Sequence, residues 1–251
     1  MRIGTYNVLG FHGFPPEAAA RWLLDAPTRV DHFTSVLSGL GCDILALQEG
    51  PDAVVMRHVA ERMGMQWATF ASPTSFPGYV LSHIPIVESR VYAHPGPGGA
   101  QAPFSRFAGA VRVALRTRDL WVVNVHLHPN NPEMRLRETD VLLNRLGELE
   151  NSEAWMVVLG DCNSPPGDPV HQMLRSRGFV NAMAAVGGGL VPTMDTAGVR
   201  PQTIDHIYVG PSLSGHLSAA YVVRREGFRL DDPTPGAWVH SDHLPVVADV
   251  L

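Results

Sequence analysis

Apolar runs that stop at a carboxylate, an amide or an imidazole recur along this whole chain, and no other feature constrains the fold as much. Arg2–Val8 carries Asn7, Asp43–Gln48 is followed by Glu49, and Leu120–Val125 delivers His126. Trp155–Leu159 leads to Gly160-Asp161, Thr203–Val209 carries Asp205, and Ser241-Asp242-His243 precedes Pro245–Val250. Short apolar runs bounded by turn residues read as buried strands. Ligands of α/β sheets gather beyond the strand ends. Polar groups at so many strand ends therefore predict one shared site.

Helical patterns separate these strands. Val30, Phe33, Leu37 and Leu40 recur at helical spacing, and Gly41 stops them. Asp52–Met63, Pro132–Leu149 and Pro169–Ser176 read as further helices, and Pro15–Leu24 as a short helical segment or lid. Trp67–Phe70, Tyr79–Ser82, Ile86–Tyr92, Phe107–Arg116 and Leu217–Arg224 read as strands. Loops are expected at Ala93–Phe104, Gly187–Arg200 and Gly227–His240. The two halves repeat loosely. Each runs from strand to helix to apolar strand to acidic corner, with Asn7 then Glu49 in the first and His126 then Asp161 in the second. Mixed sheets with helices outside them fit this alternation. No Ser-rich linker or charge block divides residues 1–251, so one domain is expected.

Composition narrows the partners. The net charge is −5, and all 19 basic residues are Arg. An acidic chain gains nothing from its net charge on approaching a polyanion. A nucleic-acid substrate would need a local Arg groove, for which Arg106, Arg135 and Arg137 are the candidates; solvated faces of a strand and a helix are the plainer reading. Two cysteines, Cys42 and Cys162, are too few for a disulfide framework or a zinc cluster. The start MRIGTYNVLG reads as a strand rather than a secretory leader, and no run approaches the length of a membrane span. A cytoplasmic protein without stable membrane insertion is the expectation. Oligomeric state is not legible.

The corner residues suit one chemistry. Mg²⁺ prefers oxygen ligands and keeps several waters, so one or two carboxylates and an amide can hold it. Asn7, Glu49 and Asp242 match that need. Phosphate-ester cleavage also needs charge neutralisation and an activated water. Asp161 and Asn163, two apart, can share one direction: the carboxylate orients or deprotonates water, and the amide holds that water or a phosphoryl oxygen. A carboxylate beside His243 would fix its tautomer and raise its pKa, and Asp205 is the candidate. His126 could donate to a phosphate oxygen. Asp161 or Asp205 alone could be an ordinary turn residue. His128, His206 and His240 read as supporting or rim residues. His12, His32, His58, His94, His171 and His216 read as surface or packing residues. The GxSxG elbow, the phosphate-binding GxxxxGK[ST] loop and HExxH are all missing from the chain.

Taken jointly, TYN, LQE, NVHL, GDCN, IDHI and SDHLPV resemble the motifs of the endonuclease/exonuclease/phosphatase superfamily, the deoxyribonuclease-I-like phosphoesterases. The resemblance runs from Ile3 to Val250. It implies a four-layer α/β sandwich, with two central mixed β-sheets flanked by helices, and Mg²⁺ or Mn²⁺ dependence. Asn7 and Glu49 match the family's metal-side Asn and Glu, and Asp242 its metal-facing terminal Asp. His126 matches a phosphate-contacting His, Asp161 and Asn163 the catalytic Asp-x-Asn, and Asp205 the Asp supporting the final His, here His243. The resemblance leaves open whether Asp161 or His243 is the base. Pro201–His206 stands where inositol phosphatases carry Trp-Cys-Asp-Arg, and DNA-gripping basic loops are not evident. The expectation is a metal-dependent phosphodiesterase or phosphatase acting on a small phosphorylated molecule or lipid head group. A nuclease of the same fold is the alternative, and a non-catalytic binding module a distant one. Substrate choice should lie in the loops, with Trp22 or Trp238 on the rim.

Overall fold

The computed structural model describes residues 1–92, 102–149 and 154–251. Most of the loop expected at Ala93–Phe104 lies outside the described residues. The first sheet has the order β11-β12-β1-β2-β4-β3. Its strands are β1 (Arg2–Asn7), β2 (Ile44–Gln48), β3 (Gln66–Phe70), β4 (Gly78–Ser82), β11 (Leu217–Val222) and β12 (Val246–Val250). The second has the order β5-β6-β7-β8-β10-β9. It contains β5 (Ile86–Val91), β6 (Phe107–Ala114), β7 (Asp119–His126), β8 (Trp155–Asp161), β9 (Val180–Asn181) and β10 (Asp205–Val209). The helices α2 (Ala26–Ser38) and α3 (Ala53–Met63) cover one outer face, and α4 (Pro132–Leu149) and α5 (Pro169–Ser176) the other. This is the four-layer α/β sandwich.

Three apolar layers follow from period-two alternation. Ile3, Ile44, Val122, Val157, Leu159, Ile207 and Val246 meet between the sheets. Leu45, Leu47 and Val247 face α2 and α3, with Phe33, Leu37, Met56 and Val59. Val123, Val125 and Val158 face α4 and α5, with Leu142, Leu146 and Leu174. Carrying the inter-sheet face to the strand ends brings Thr5 and Asn7 after Ile3, Asn124 and His126 after Val122, and Asp161 after Leu159. Asp205 precedes Ile207 on the same face. The site is thus the polar rim of the central core.

The expected repeat of the halves has a geometric basis. Each sheet has one parallel pair at its centre: β1 with β2, and β7 with β8. Asn7 pairs in register with Gln48, and His126 with Asp161. Parallel neighbours end at the same sheet edge. The antiparallel strands β10 and β12 begin there, with Asp205 opposite Asp161. Gly160 shows why the corner is GD. Its φ is +140°, and a Cβ would lie 2.0 Å from the Val125 carbonyl oxygen, so only glycine fits.

Some local expectations change. Pro15–Leu24 yields only a four-residue helix, α1 (Pro16–Ala19), followed by turns in which the Trp22 and Leu23 N–H groups donate to the Ala19 carbonyl. Three elements had no legible pattern: α6 (Ala182–Val186), α7 (Pro211–Ser214) and the two-residue β9. Each is too short to show a period. Among the described residues, no helix is long and apolar enough to cross a membrane.

Candidate active site

At the shared edge, Asn7 bridges the two sheets. Its Nδ2 donates to Glu49 Oε1 at 3.3 Å and to Asp161 Oδ2 at 3.1 Å. Its Oδ1 accepts the Leu9 N–H at 3.2 Å. Glu49 sits just past β2 in the left-handed region, with φ +48°, which turns its carboxylate out of the sheet. Leu9 and Phe11 adopt similar values. Left-handed non-glycine residues cost about 1–3 kcal/mol each and tend to cluster at functional sites.

Asp161 is buried. His126 Nε2 lies 3.5 Å from its Oδ2 and 4.0 Å from Glu49 Oε1. Burial pushes the Asp161 and Glu49 pKa values up; His126 and His243 oppose this at Asp161, and Asn7 at Glu49. Burial lowers the His126 pKa to about 4 despite Asp161, so this ring is neutral at pH 7. Its Nδ1 is buried without a partner among the described residues.

His243 is the opposite case. Burial alone would lower its pKa, but Asp205, Asp161 and Asp242 raise it well above 6.5. Its Nδ1 donates to Asp205 at 2.9 Å, and its Nε2 lies 3.9 Å from Asp161 Oδ2. Thr193 fixes Asp205 from the far side. Its hydroxyl donates to Asp205 Oδ2 at 2.6 Å and accepts the Ile204 and Asp205 N–H groups.

Asn163 completes the Asp-x-Asn pair, also left-handed with φ +48°. Its N–H donates to Asp161 Oδ1 at 3.0 Å, and its Nδ2 to the Leu127 carbonyl at 2.9 Å. Behind it, His171 Nε2 and His206 Nε2 both lie 3.0 Å from the Ser164 carbonyl. Both rings can donate there while their Nδ1 atoms accept, from Tyr208 and Asn181. His206 is supporting, as expected. His171, expected at the surface or as packing, is buried and hydrogen-bonded.

A polar spine joins the sheets below the site. Asn124 Nδ2 donates to the carbonyls of Leu47 and Tyr79, both at 2.9 Å. Its Oδ1 accepts from Gln48 Nε2 at 2.8 Å, and Gln48 in turn bonds Thr5. These are the unassigned letters of TYN, LQE and NVH. Thr193 and His171 gave no sequence signal, because neither lies beside an apolar strand run and their partners are chosen by loop and helix placement.

The donor set fits a hard cation. Glu49, Asp161 and Asp242 interact electrostatically around Asn7, and all offer oxygen. Carboxylates crowded under burial gain most from a divalent charge. Asp161, Asp205 and His243 also lie within 4.8 Å of one another. Both Asp205 oxygens already accept hydrogen bonds, so that trio reads better as a hydrogen-bonded relay than as a ligand set. Cys162 points away among the residues packed on α4 and α5, where burial raises its thiol pKa far above the ordinary value.

The Arg candidates separate. Arg135 is buried, pairs with Asp168 at 2.9 Å and donates to the His128 and Pro129 carbonyls. It belongs neither to a groove nor to a solvated face. Arg137 is exposed. Arg106 is half-buried, 4.6 Å from the Phe76 ring centroid. Trp22 is exposed, and Trp238 packs on His32 and His240.

Two strand-end pairs, one from each sheet, with an Asp-supported His between them, are the arrangement of a phosphoesterase centre. The family model described as "Endonuclease/Exonuclease/phosphatase family" matches residues 4–243. The chain belongs to this family, whose members are phosphoesterase hydrolases. No curated protein matches it significantly. An endonuclease/exonuclease/phosphatase from Bacteroides vulgatus is similar in structure, with TM-score 0.75 and 15% identity, covering 100% of this chain and 98% of that one. The mannosyl-6-phosphatase of Bacteroides thetaiotaomicron gives TM-score 0.73 at 16% identity, with 100% and 99% covered. A 3' phosphatase from Neisseria, bound to a product DNA hairpin, gives 0.71 at 20%, with 100% and 99% covered. At these identities the likeness is one of fold.

Proposed function

We propose that this chain is a divalent-metal-dependent phosphoesterase, acting as one domain on a small phosphorylated molecule or lipid head group. The observation that carries this reading is the convergence of Asn7, Glu49, His126, Asp161 and the Asp205–His243 pair on one rim. Asn7, Glu49 and Asp242 would hold Mg²⁺ or Mn²⁺. The bound ion would neutralise phosphoryl charge and stabilise the leaving oxygen.

The remaining roles fall to the protein's own groups. Asp161 and His243 flank the position of the attacking water, and one of them takes its proton. Asn163 orients that water or a phosphoryl oxygen. Neutral His126 donates its Nε2–H to the phosphoryl group. Water oxygen bonds to phosphorus as the ester P–O bond breaks, and the alcohol leaves with a proton. Asp205, held by Thr193, keeps the His243 ring oriented throughout.

The mannosyl-6-phosphatase shows that the same fold serves a sugar phosphate. The buried Arg135 removes one of the three arginines on which a nucleic-acid groove would depend. A cytoplasmic location stays part of this reading.

Hydrolysis of p-nitrophenyl phosphate, bis-p-nitrophenyl phosphate and plasmid DNA, each with Mg²⁺, Mn²⁺ or chelator, tests it. Metal-dependent release from a small ester, lost by about 10²–10³-fold or more in Asp161→Ala, is the expected result. Plasmid nicking that outpaces small-ester cleavage would replace this reading with the nuclease.

A further inference from the structure

A cavity of about 240 Å³ is lined by Gly50, the residue after Glu49. Its walls come from three loops and two helices: Gly10 and His12 after β1, Arg29 of α2, Gly50 and Asp52 before α3, Val55 of α3, and Ser75 before β4. Gly50 directly follows Glu49, and the Gly10 N–H donates to the Glu49 carbonyl at 2.7 Å. The cavity therefore adjoins the metal-side corner. The Gly50 N–H donates to the Pro77 carbonyl at 2.9 Å, which ties the Ser75 loop to the same wall.

The lining is chemically mixed. Arg29 forms no ion pair or side-chain hydrogen bond among the described residues. Asp52 uses Oδ1 to cap α3, accepting from Val54 and Val55. Its Oδ2 has no partner among the described residues. Ser75 offers a hydroxyl, and Val55 an apolar patch. His12 lies near Arg29; partial burial and that charge lower its pKa, so it is neutral at pH 7 and can both donate and accept.

A pure anion site would not share its lining between a guanidinium and a carboxylate. A fixed donor, a fixed acceptor and two groups able to do both match vicinal hydroxyls, each of which donates and accepts. The volume lies below the roughly 300–1,000 Å³ of drug-sized pockets, which suits a single ring. We propose that this cavity is the leaving-group subsite and takes a hydroxyl-rich ring, a sugar or cyclitol, whose phosphate lies at the Asn7–Glu49–Asp161 corner. Arg29 and Asp52 are its specificity-determining residues. The inference rests on the phosphoesterase reading above.

The test separates the two. Binding is measured by calorimetry on Asp161→Asn protein with metal present, using mannose 6-phosphate, myo-inositol 1-phosphate, methyl phosphate and a short 3'-phosphorylated DNA. A ring phosphate should bind at least about tenfold tighter than methyl phosphate, the scale of one charge-assisted hydrogen bond. Adding Arg29→Met or Asp52→Asn should erase that ratio, with circular-dichroism melts confirming that each variant is folded. Asn preserves the helix cap, so Asp52→Asn reads recognition rather than folding. Equal binding of ring and methyl phosphates, tightest binding of the DNA, or an unchanged ratio in both variants would overturn the subsite. Metal-dependent hydrolysis of p-nitrophenyl phosphate by the unmutated protein scores the phosphoesterase reading independently. Its failure alongside Arg29-dependent ring binding would sink that reading and leave the subsite standing.

Discussion

Single residues at this rim act through their partners. Thr193 donates to Asp205 Oδ2, the same oxygen that accepts from His243 Nδ1 at 2.9 Å, and so helps fix the carboxylate that orients His243. Thr193→Val removes the 2.6 Å donation and leaves the Ile204 and Asp205 N–H groups unpaired. We expect kcat to fall about 10–100-fold with KM little changed, measured by steady-state hydrolysis, and Thr193→Ser to restore most of it. His206 makes a prediction about pH. Burial, then the neighbouring His171, lowers its pKa from 6.5 to about 4. The folded state thus resists a proton that the unfolded chain accepts. Its contribution is intact above pH 6.5 and is lost as pH falls toward 4, amounting to roughly 3 kcal/mol. Urea melts between pH 7 and 4 should show His206→Gln losing less stability over that window than the unmutated protein. The residues found by sequence were those next to an apolar run. Asn7, Glu49, Asp161 and His243 carry that mark. Thr193 and His171 carry none, because a hydroxyl in a loop and an imidazole on an amphipathic helix look the same whether or not a carbonyl or carboxylate awaits them.

The strand pair is the element that matters most. A parallel pair brings two chain segments to one edge with their side-chain phases locked. Asn7 and Glu49 therefore approach Asp161 and His126 only if the two sheets are also locked to each other. Asn124 supplies that lock, with two donations into the first sheet and one acceptance from Gln48. Asn124→Leu would leave two carbonyls and one amide N–H unpaired in the core, at roughly 1–3 kcal/mol each. We expect a loss of about 3 kcal/mol or more by urea denaturation. The long strands and helices were legible from period and caps. Asp52 and Asp168 cap α3 and α5 as donors to nothing and acceptors from two and one N–H groups respectively. Elements of two to five residues, such as β9, α6 and α7, were not legible, because too few positions exist to define a period.

At the scale of the whole molecule, folding gathers acidic groups that repel one another, and a divalent ion should relieve the strain. Mg²⁺ or Mn²⁺ at a hundredfold excess over its Kd would stabilise the native state by about 2.7 kcal/mol. A rise in Tm on adding the ion, reversed by chelator and abolished in Glu49→Gln, is the expected outcome of a thermal melt. No rise in the unmutated protein would count against a metal at this corner. The sequence by itself determined the strand-and-corner alternation and the family, because each motif is a short run of residues close together in the chain. It already placed Asn7, His126, Asp161 and Asp205 at or near strand ends. Only the tertiary structure decided that these positions share one edge, that Arg135 is consumed by Asp168 and that Arg29 and Asp52 line one cavity. Such pairings join residues from 23 to more than 150 positions apart, and no local pattern records a contact that only sheet stacking and loop closure create.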